Sequence, residues 1–227
     1  VLAPSRVLAD MVRGAGMDVP IQVIPSGHDL CWLLSMPPRQ SLAPMIRFGY
    51  IGQISPIKGV YELVSAFVRE GVGEKAELHL YGDHRKNREY TQGMRDLLAR
   101  HASAVTFHGP FPPELLGEVL SRIDVLVVPS IWWENNPRVV QEAFASNAPV
   151  IASDVPGIAE FVKHEVNGVL FERGNVNDLA RQMRRIIEEP SLLLQLRAGI
   201  PPVKTIEQEV DELIAVYEQV WRQNGRE

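Results

Sequence analysis

The chain has 227 residues, enough for one large domain or for one domain and part of another. Apolar residues make up 45% and charged residues 22% of the sequence, as in a soluble globular protein with a real core. The net charge of −5 argues against a nucleic-acid partner but allows a local basic pocket for phosphate. The single cysteine, Cys31, excludes a disulfide framework and favours a cytoplasmic protein. No apolar run approaches the roughly 20 residues of a membrane span.

Short apolar runs alternate with amphipathic stretches along the chain. The stretches carry apolar residues at helical spacing, and this alternation predicts an α/β fold with a doubly wound parallel sheet. The apolar runs predict strands at 21–25, 47–52, 77–82, 105–109, 125–129, 149–153 and 168–171.

A proline-rich stretch predicts a linker over residues 33–43. Residues 1–32 are then the tail end of a preceding domain, and residues 44–203 form the main α/β domain. Residues 204–227 form a C-terminal helix, which either packs on this domain or crosses back to a missing partner. Because the sequence starts inside a predicted strand, we expect an N-terminal portion to be missing.

Two carboxylates flank a helix-start signal in the segment 134–142. Glu134 is expected in a loop beyond the carboxyl end of a buried strand, and Glu142 about two turns into the next helix. Asn136 is the predicted N-cap and Pro137 the predicted first helical residue. Ligands of open α/β sheets bind at this edge, and a helix N-terminus favours an anion. The helix start would bind phosphate, and a carboxylate further along would accept hydrogen bonds from sugar hydroxyls. Together they predict a nucleotide-sugar site.

The loop 52–59 follows the first strand of the main domain and opens a helix. Gly52 lets a backbone approach closely, and Lys58 supplies a positive charge where anions bind. The alternative is an ordinary turn with a solvated lysine. The loop matches neither the P-loop nor the dinucleotide fingerprint, which disfavours an NTPase and a nicotinamide dehydrogenase.

Two further features bear on the ligand. Gly109, Pro110 and Phe111 follow a strand and either frame a flat base or simply end the strand. Trp132 and Trp133, beside a carboxylate, predict a partly buried cleft. The chain contains no Asp-x-Asp pair and no cluster at metal-ligand spacing, so we predict no metal site.

In this order, the motifs resemble those of the C-terminal, donor-binding half of family 4 GT-B glycosyltransferases, the group 1 glycosyltransferases. The resemblance covers nearly the whole chain, from a P-N-G-x-D-like segment at 25–29 through 52–59 and 134–142 to 167–171. It implies a Rossmann-like domain of a retaining, metal-independent enzyme. It implies no cofactor besides a UDP-, GDP- or ADP-linked sugar donor. The resemblance also implies two partners: a missing N-terminal acceptor domain, and a membrane with which the full enzyme would associate peripherally.

The resemblance also implies residue roles. Lys58 contacts the donor diphosphate and Glu134 faces the transferred sugar, and these two are the predicted catalytic residues. Glu142 bonds the ribose hydroxyls. The donor-binding residues it implies are Gly52, Gln53, Lys58, Gly109, Pro110, Phe111, Glu134, Asn135, Asn136, Pro137, Arg138, Val139 and Glu142.

Three departures from the family pattern matter. Gln53 stands where the family usually has arginine, and Arg138 is the candidate substitute for the missing charge. Pro137 has no N–H to offer a sugar or phosphate. The acceptor half, with its catalytic histidine, is absent from the chain. A GT-B sugar-nucleotide epimerase and a donor-binding module without turnover remain as alternatives.

Overall fold

Six parallel strands form the main sheet of the computed structural model, which describes residues 1–37, 45–69, 72–83, 85, 87–99 and 104–224. A separate parallel pair joins the first two strands near the N-terminus. The strands, in chain order, are β1 Leu2–Ala3, β2 Gln22–Val23, β3 Ile46–Ile51, β4 Ala76–Tyr81, β5 Val105–Gly109, β6 Val125–Val128, β7 Val150–Ser153 and β8 Gly168–Phe171. The order across the main sheet is β5-β4-β3-β6-β7-β8.

Helices cover both faces of this sheet. The helices that the structure describes are, in chain order, α1 Arg6–Gly14, α2 Val60–Phe67, α3 Arg88–Leu98, α4 Leu116–Ser121, α5 Arg138–Ala145, α6 Pro156–Ala159, α7 Val176–Glu188, α8 Pro190–Ala198 and α9 Ile206–Asn224. One buried cluster joins α2, α3, α7 and α8 to the sheet, and a second joins α4, α5 and α6 to its other face. Along β6, Val125 and Val127 face the first cluster while Leu126 and Val128 face the second. The predicted doubly wound sheet is therefore confirmed.

The predicted strands of the main sheet agree with the observed ones to within one residue at each end. Strand β6 is buried at every position because helices cover both of its sides. A strand in that setting is apolar throughout, and this is why it stands out in the sequence.

A buried ion pair ties β3 to β6 at their amino ends. Asp124 accepts two hydrogen bonds from the guanidinium of Arg47, at 2.9 and 3.0 Å, and a third from its backbone N–H at 3.0 Å. Arg197 approaches the same carboxylate at 3.5 Å. The hydrogen bond with Asp124 raises the pKa of the Arg47 guanidinium.

The helix α9 contacts the N-terminal segment. The N–H of His28 donates to the carbonyl of Lys204 at 3.0 Å, and the N–H of Ile206 donates to the carbonyl of His28 at 3.1 Å. Glu209 accepts from the N–H of Gly27 at 2.8 Å. The start of the helix thus contacts residues that precede the main domain, and the choice between the two predicted placements stays open.

The predicted linker is only partly described. Residues 33–35 belong to a short 3₁₀ helix, Cys31–Ser35, and residues 38–43 lie outside the described residues. The division into domains stays a prediction. Within the part of the chain that the structure describes, no helix is both long and apolar enough to cross a membrane.

Candidate functional site

A cavity of about 280 Å³ opens where β3 and β6 end. These strands are neighbours, and the strand order reverses between them, with β4 on one side and β7 on the other. Ligands of open α/β sheets bind at such a switch point. The predicted site residues that line the cavity are Gly52, Gln53, Lys58, Glu134, Asn136, Pro137, Arg138 and Val139.

Lys58 and Glu134 form an ion pair at the wall of this cavity. The Lys58 Nζ lies 2.5 Å from Glu134 Oε1, and the hydroxyl of Ser130 donates to the same oxygen at 2.7 Å. The side chains of the pair are 31% and 15% exposed, so the contact is largely shielded from solvent. An ammonium group has three donors, and Lys58 can therefore keep Glu134 while binding a phosphate oxygen.

Backbone contacts fix the Lys58 turn to the Glu134 loop. The carbonyl of Ile57 accepts hydrogen bonds from the N–H groups of Ile131 and Trp132, at 3.0 and 3.1 Å. Gly59 adopts φ +66°, and a Cβ there would lie 1.9 Å from the carbonyl oxygen of Pro129. Only glycine allows this approach, so the two loops hold the cation and the carboxylate together.

A second close approach holds the Glu134 loop from the opposite side. A Cβ on Gly157, in α6, would lie 1.6 Å from the carbonyl oxygen of Glu134. Asn135 does not line the cavity, because its side-chain oxygen accepts a hydrogen bond from the hydroxyl of Ser5. Glu160 accepts from the N–H of Arg6 at 2.9 Å, at the start of α1, which is a structural role.

The start of α5 differs from the prediction. The helix begins at Arg138 with Pro137 at the cap position, φ −73° and ψ 94°, so both the Asn136 N-cap and the first-position Pro137 are wrong by one residue. The Pro137 carbonyl already accepts from the N–H of Val140 at 3.0 Å, as a capping residue does. Asn136 is thereby placed at the cavity wall.

Glu142 lies outside the residues that line the cavity. It stands one turn beyond Arg138 on α5, and Arg138 does line the cavity. Burial raises the pKa of the Glu142 carboxyl, and the charge of Arg138 partly offsets this. Its contact with a ribose stays a prediction.

A second cavity of about 420 Å³ adjoins the first, at the ends of β3 and β4. Gly52 and Gln53 line both cavities, and Pro110 and Phe111 line the second. The Phe111 ring meets Tyr81 edge-on, with centroids 5.7 Å apart. This aromatic wall suits a flat ligand. Gly109 lines neither cavity; its carbonyl accepts from the N–H of Gly82 at 3.0 Å.

Sequence reasoning missed three contributors to the site. The Ser130 hydroxyl donates to the carboxylate of Glu134, and Gly157 packs against the Glu134 carbonyl. The Tyr50 hydroxyl donates to the carbonyl of Gln53 at 2.7 Å. Ser130 directly follows the predicted strand 125–129, whereas nothing in the sequence places Gly157 next to Glu134. Across the described residues, no three acidic, histidine or cysteine side chains are grouped to hold a metal ion.

Comparison with known proteins adds independent observations. The profile of the family described as glycosyl transferases group 1 matches residues 46–189. An uncharacterised glycosyltransferase of Methanocaldococcus jannaschii is 30% identical over 141 residues, 62% of this chain and 35% of that protein. The 2-deoxystreptamine glucosyltransferase of Streptomyces kanamyceticus is 28% identical over 153 residues, 66% of this chain and 39% of that protein. The chain thus spans well under half of the length of these two relatives.

Solved structures agree on the fold. HepE of Anabaena, in complex with UDP and glucose, superposes with a TM-score of 0.83 at 21% identity, over 96% of this chain and 63% of that one. Sucrose-phosphate synthase of Thermosynechococcus elongatus gives a TM-score of 0.81 at 25% identity, over 99% and 59%. The Rossmann-like sheet, with its cleft at the switch point, has the fold of these structures, and the family profile identifies it as a GT-B glycosyltransferase domain. Because the profile covers more than half of its residues, the chain belongs to the group 1 glycosyltransferase family.

Proposed function

We propose that the chain binds the nucleoside-diphosphate sugar donor of a retaining, metal-independent glycosyltransferase. The supporting observation is the arrangement of charge and aromatic surface in two adjoining cavities. Lys58, Glu134 and Arg138 line the first cavity, and Phe111 lines the second. HepE, whose fold is similar, has been solved with UDP-glucose.

The electrostatics of the first cavity favour a diphosphate. Its charged lining consists of two cations, Lys58 and Arg138, and one carboxylate, Glu134, a net charge of +1. The N–H groups at the start of α5 add the positive end of a helix dipole. A diphosphate there would let its nucleoside extend toward Phe111, because Gly52 and Gln53 join the two cavities.

This arrangement suits sugar transfer without a metal. As the bond between the sugar C1 and the phosphate oxygen breaks, negative charge grows on the diphosphate and positive charge on the sugar. Lys58 stabilises the first charge and the Glu134 carboxylate the second. A fixed donor beside developing charge contributes about 2–4 kcal/mol. Glu142 is proposed to anchor the nucleotide, a contact that serves binding more than the chemical step.

Thermal denaturation of the chain with UDP-, GDP- and ADP-sugars in EDTA tests the proposal. We expect one nucleotide class to raise the melting temperature, because a ligand at 100 times its Kd stabilises by about 2.7 kcal/mol. Lys58→Ala should abolish the shift. Lys75→Ala, an exposed lysine at the opposite edge of the sheet, should keep it.

Two outcomes would contradict the proposal. A shift that requires a divalent cation would exclude the metal-independent site. Equal loss of the shift in both lysine variants would mean that Lys58 makes no specific contact. Slow hydrolysis of the bound donor, followed by NMR, would report whether the released sugar keeps its anomeric configuration.

A further inference from the structure

A third cavity, of about 640 Å³, lies at the carboxyl ends of β7 and β8. It is separate from the two cavities described above. Its lining includes Trp133, Asp154, Pro156, Leu170, Glu172 and Arg173.

Trp133 presents an exposed aromatic face at this cavity. Trp132 and Trp133 are 59% and 54% exposed, so both indoles are largely open to solvent. Trp133 lines the cavity and Trp132 does not. The guanidinium carbon of Arg173 lies 5.5 Å from the centre of the Trp133 ring, a cation–π contact that orients the indole. An indole held in this way offers a flat apolar surface at little entropic cost to a ligand.

The polar groups of the cavity suit hydroxyls. The backbone N–H of Asp154 donates to the carbonyl of Phe171 at 2.7 Å. The Asp154 carboxylate makes no hydrogen bond or ion pair with any residue that the structure describes, so it is available as an acceptor. The carboxylates of Asp154, Glu172 and Asp178 and the guanidinium of Arg173 give the lining a formal charge of −2, histidine not counted. This charge disfavours phosphate, nucleic acid and anionic lipid. An apolar ring beside carboxylate acceptors matches the two sides of an uncharged sugar.

The third cavity shares a wall with the first. Trp133 directly precedes Glu134 of the Lys58 pair. On the other side, Pro156 lines the third cavity, and the next residue, Gly157, packs against the Glu134 carbonyl. A ligand in the third cavity therefore lies next to the residue that faces the transferred sugar in the proposed function.

We propose that the third cavity is a saccharide subsite that holds an uncharged sugar unit of the acceptor, stacked on Trp133 and bonded to Asp154. The saccharide site is inferred from the cavity itself, whereas its role in binding the acceptor rests on the proposed function.

The two adjacent tryptophans provide a matched test. Neutral gluco-, galacto- and manno-oligosaccharides are titrated into the chain, and binding is followed by saturation-transfer NMR. For a bound member, Trp133→Ala should weaken affinity about tenfold, which corresponds to about 1.4 kcal/mol. Asp154→Asn should also weaken it, and Trp132→Ala should change it less than about twofold.

Three results would overturn the subsite: no oligosaccharide binds the unmodified chain, both tryptophan variants lose binding equally, or Trp133→Ala has no effect. Phosphatidylglycerol vesicles serve as a further probe, and vesicle binding that needs both tryptophans would instead assign the pair to a membrane surface.

Donor affinity separates this inference from the proposed function. Trp133→Ala and Asp154→Asn should leave the thermal shift by nucleotide sugars unchanged. If no nucleotide sugar binds but oligosaccharides still depend on Trp133, the proposed function fails while the saccharide site stands. The acceptor role then falls with the function.

Discussion

Arg138 is the candidate that compensates for the departure of Gln53 from the family pattern. Gln53, which stands where the family usually has arginine, lines the cavity with a neutral amide, and Arg138 lines the same cavity from the start of α5. If Arg138 supplies the missing charge, Arg138→Ala should weaken UDP binding about tenfold, because a hydrogen bond to a charged group contributes about 1.5–3 kcal/mol.

Isothermal titration with UDP measures this effect. Arg138→Lys should recover part of the affinity, since it keeps the charge but loses the planar fork. Arg181→Ala, an exposed arginine paired with Asp178, is the control and should bind like the parent chain. Unchanged affinity in Arg138→Ala, with affinity lost in Lys58→Ala, would end the compensation hypothesis.

Glu142 gives a prediction for stability against pH. Burial raises its pKa from the ordinary value of 4.5. A carboxyl with a raised folded pKa contributes stability that is complete below pH 4.5 and is lost as the pH rises through the folded pKa. Glu142→Gln avoids this loss. We therefore expect the variant to be more stable than the parent at about pH 7.5 and equally stable at about pH 4.

Urea unfolding at the two pH values is the measurement. A variant that is less stable than the parent at the higher pH would show that the ionised Glu142 has a favourable partner in the fold. It would contradict the view that burial determines the pKa of this carboxyl.

At the scale of elements, the contact between α6 and the Glu134 loop controls the site. Gly157→Ala places a methyl group 1.6 Å from the Glu134 carbonyl oxygen in the present geometry, so the loop or the helix must move. We expect destabilisation of about 2 kcal/mol or more. We also expect affinity for a UDP-sugar to fall more than affinity for UDP, because Glu134 faces the sugar in the proposed function.

Gly93→Ala is the matched control. It lies inside α3, and its new Cβ would meet only Tyr61 at 3.7 Å, an ordinary contact. Replacing a helical glycine in that setting should stabilise the chain by up to about 1 kcal/mol. Equal behaviour of the two variants would show that the close approach of Gly157 has no influence on the site.

The elements themselves were largely predictable from sequence. Strands such as β6 are apolar at every position because helices cover both faces of the sheet. A continuous apolar run of this kind can be recognised in the sequence without knowledge of the tertiary structure. The start of α5 was misplaced by one residue because Asn136 and Pro137 both suit a helix start, and local preference does not decide between them.

At the scale of the whole molecule, the Arg47–Asp124 pair joins the two halves of the sheet at the edge opposite the cleft. Asp124→Asn leaves Arg47 and Arg197 without their carboxylate, and removing one partner of a buried pair costs about 3–5 kcal/mol. Asp10→Asn removes the exposed Arg13–Asp10 pair, and should cost less than about 1 kcal/mol. Chemical denaturation compares the two, and similar losses would contradict the assignment.

The long-range contacts of the site were beyond sequence reasoning. Lys58, Glu134 and Arg138 could be placed near one another because each follows a strand at the same sheet edge. The bond of Ser5 to Asn135 and the contact of Gly157 with Glu134 join residues from different elements. Nothing local in either segment encodes its partner, so these contacts emerge only once the chain is folded.

The strand order β5-β4-β3-β6-β7-β8 has a consequence for how such a domain can diversify. Neighbouring strands are about 4.8 Å apart, so the six strands set out a row of loops about 24 Å long. The loops over β4 and β5 border one cavity, and those over β7 and β8 border another, at the far end of the row. Exchanging loops at one end leaves the other end intact. We expect hybrid chains with grafted loops to acquire new nucleotide or glycan preferences independently of each other.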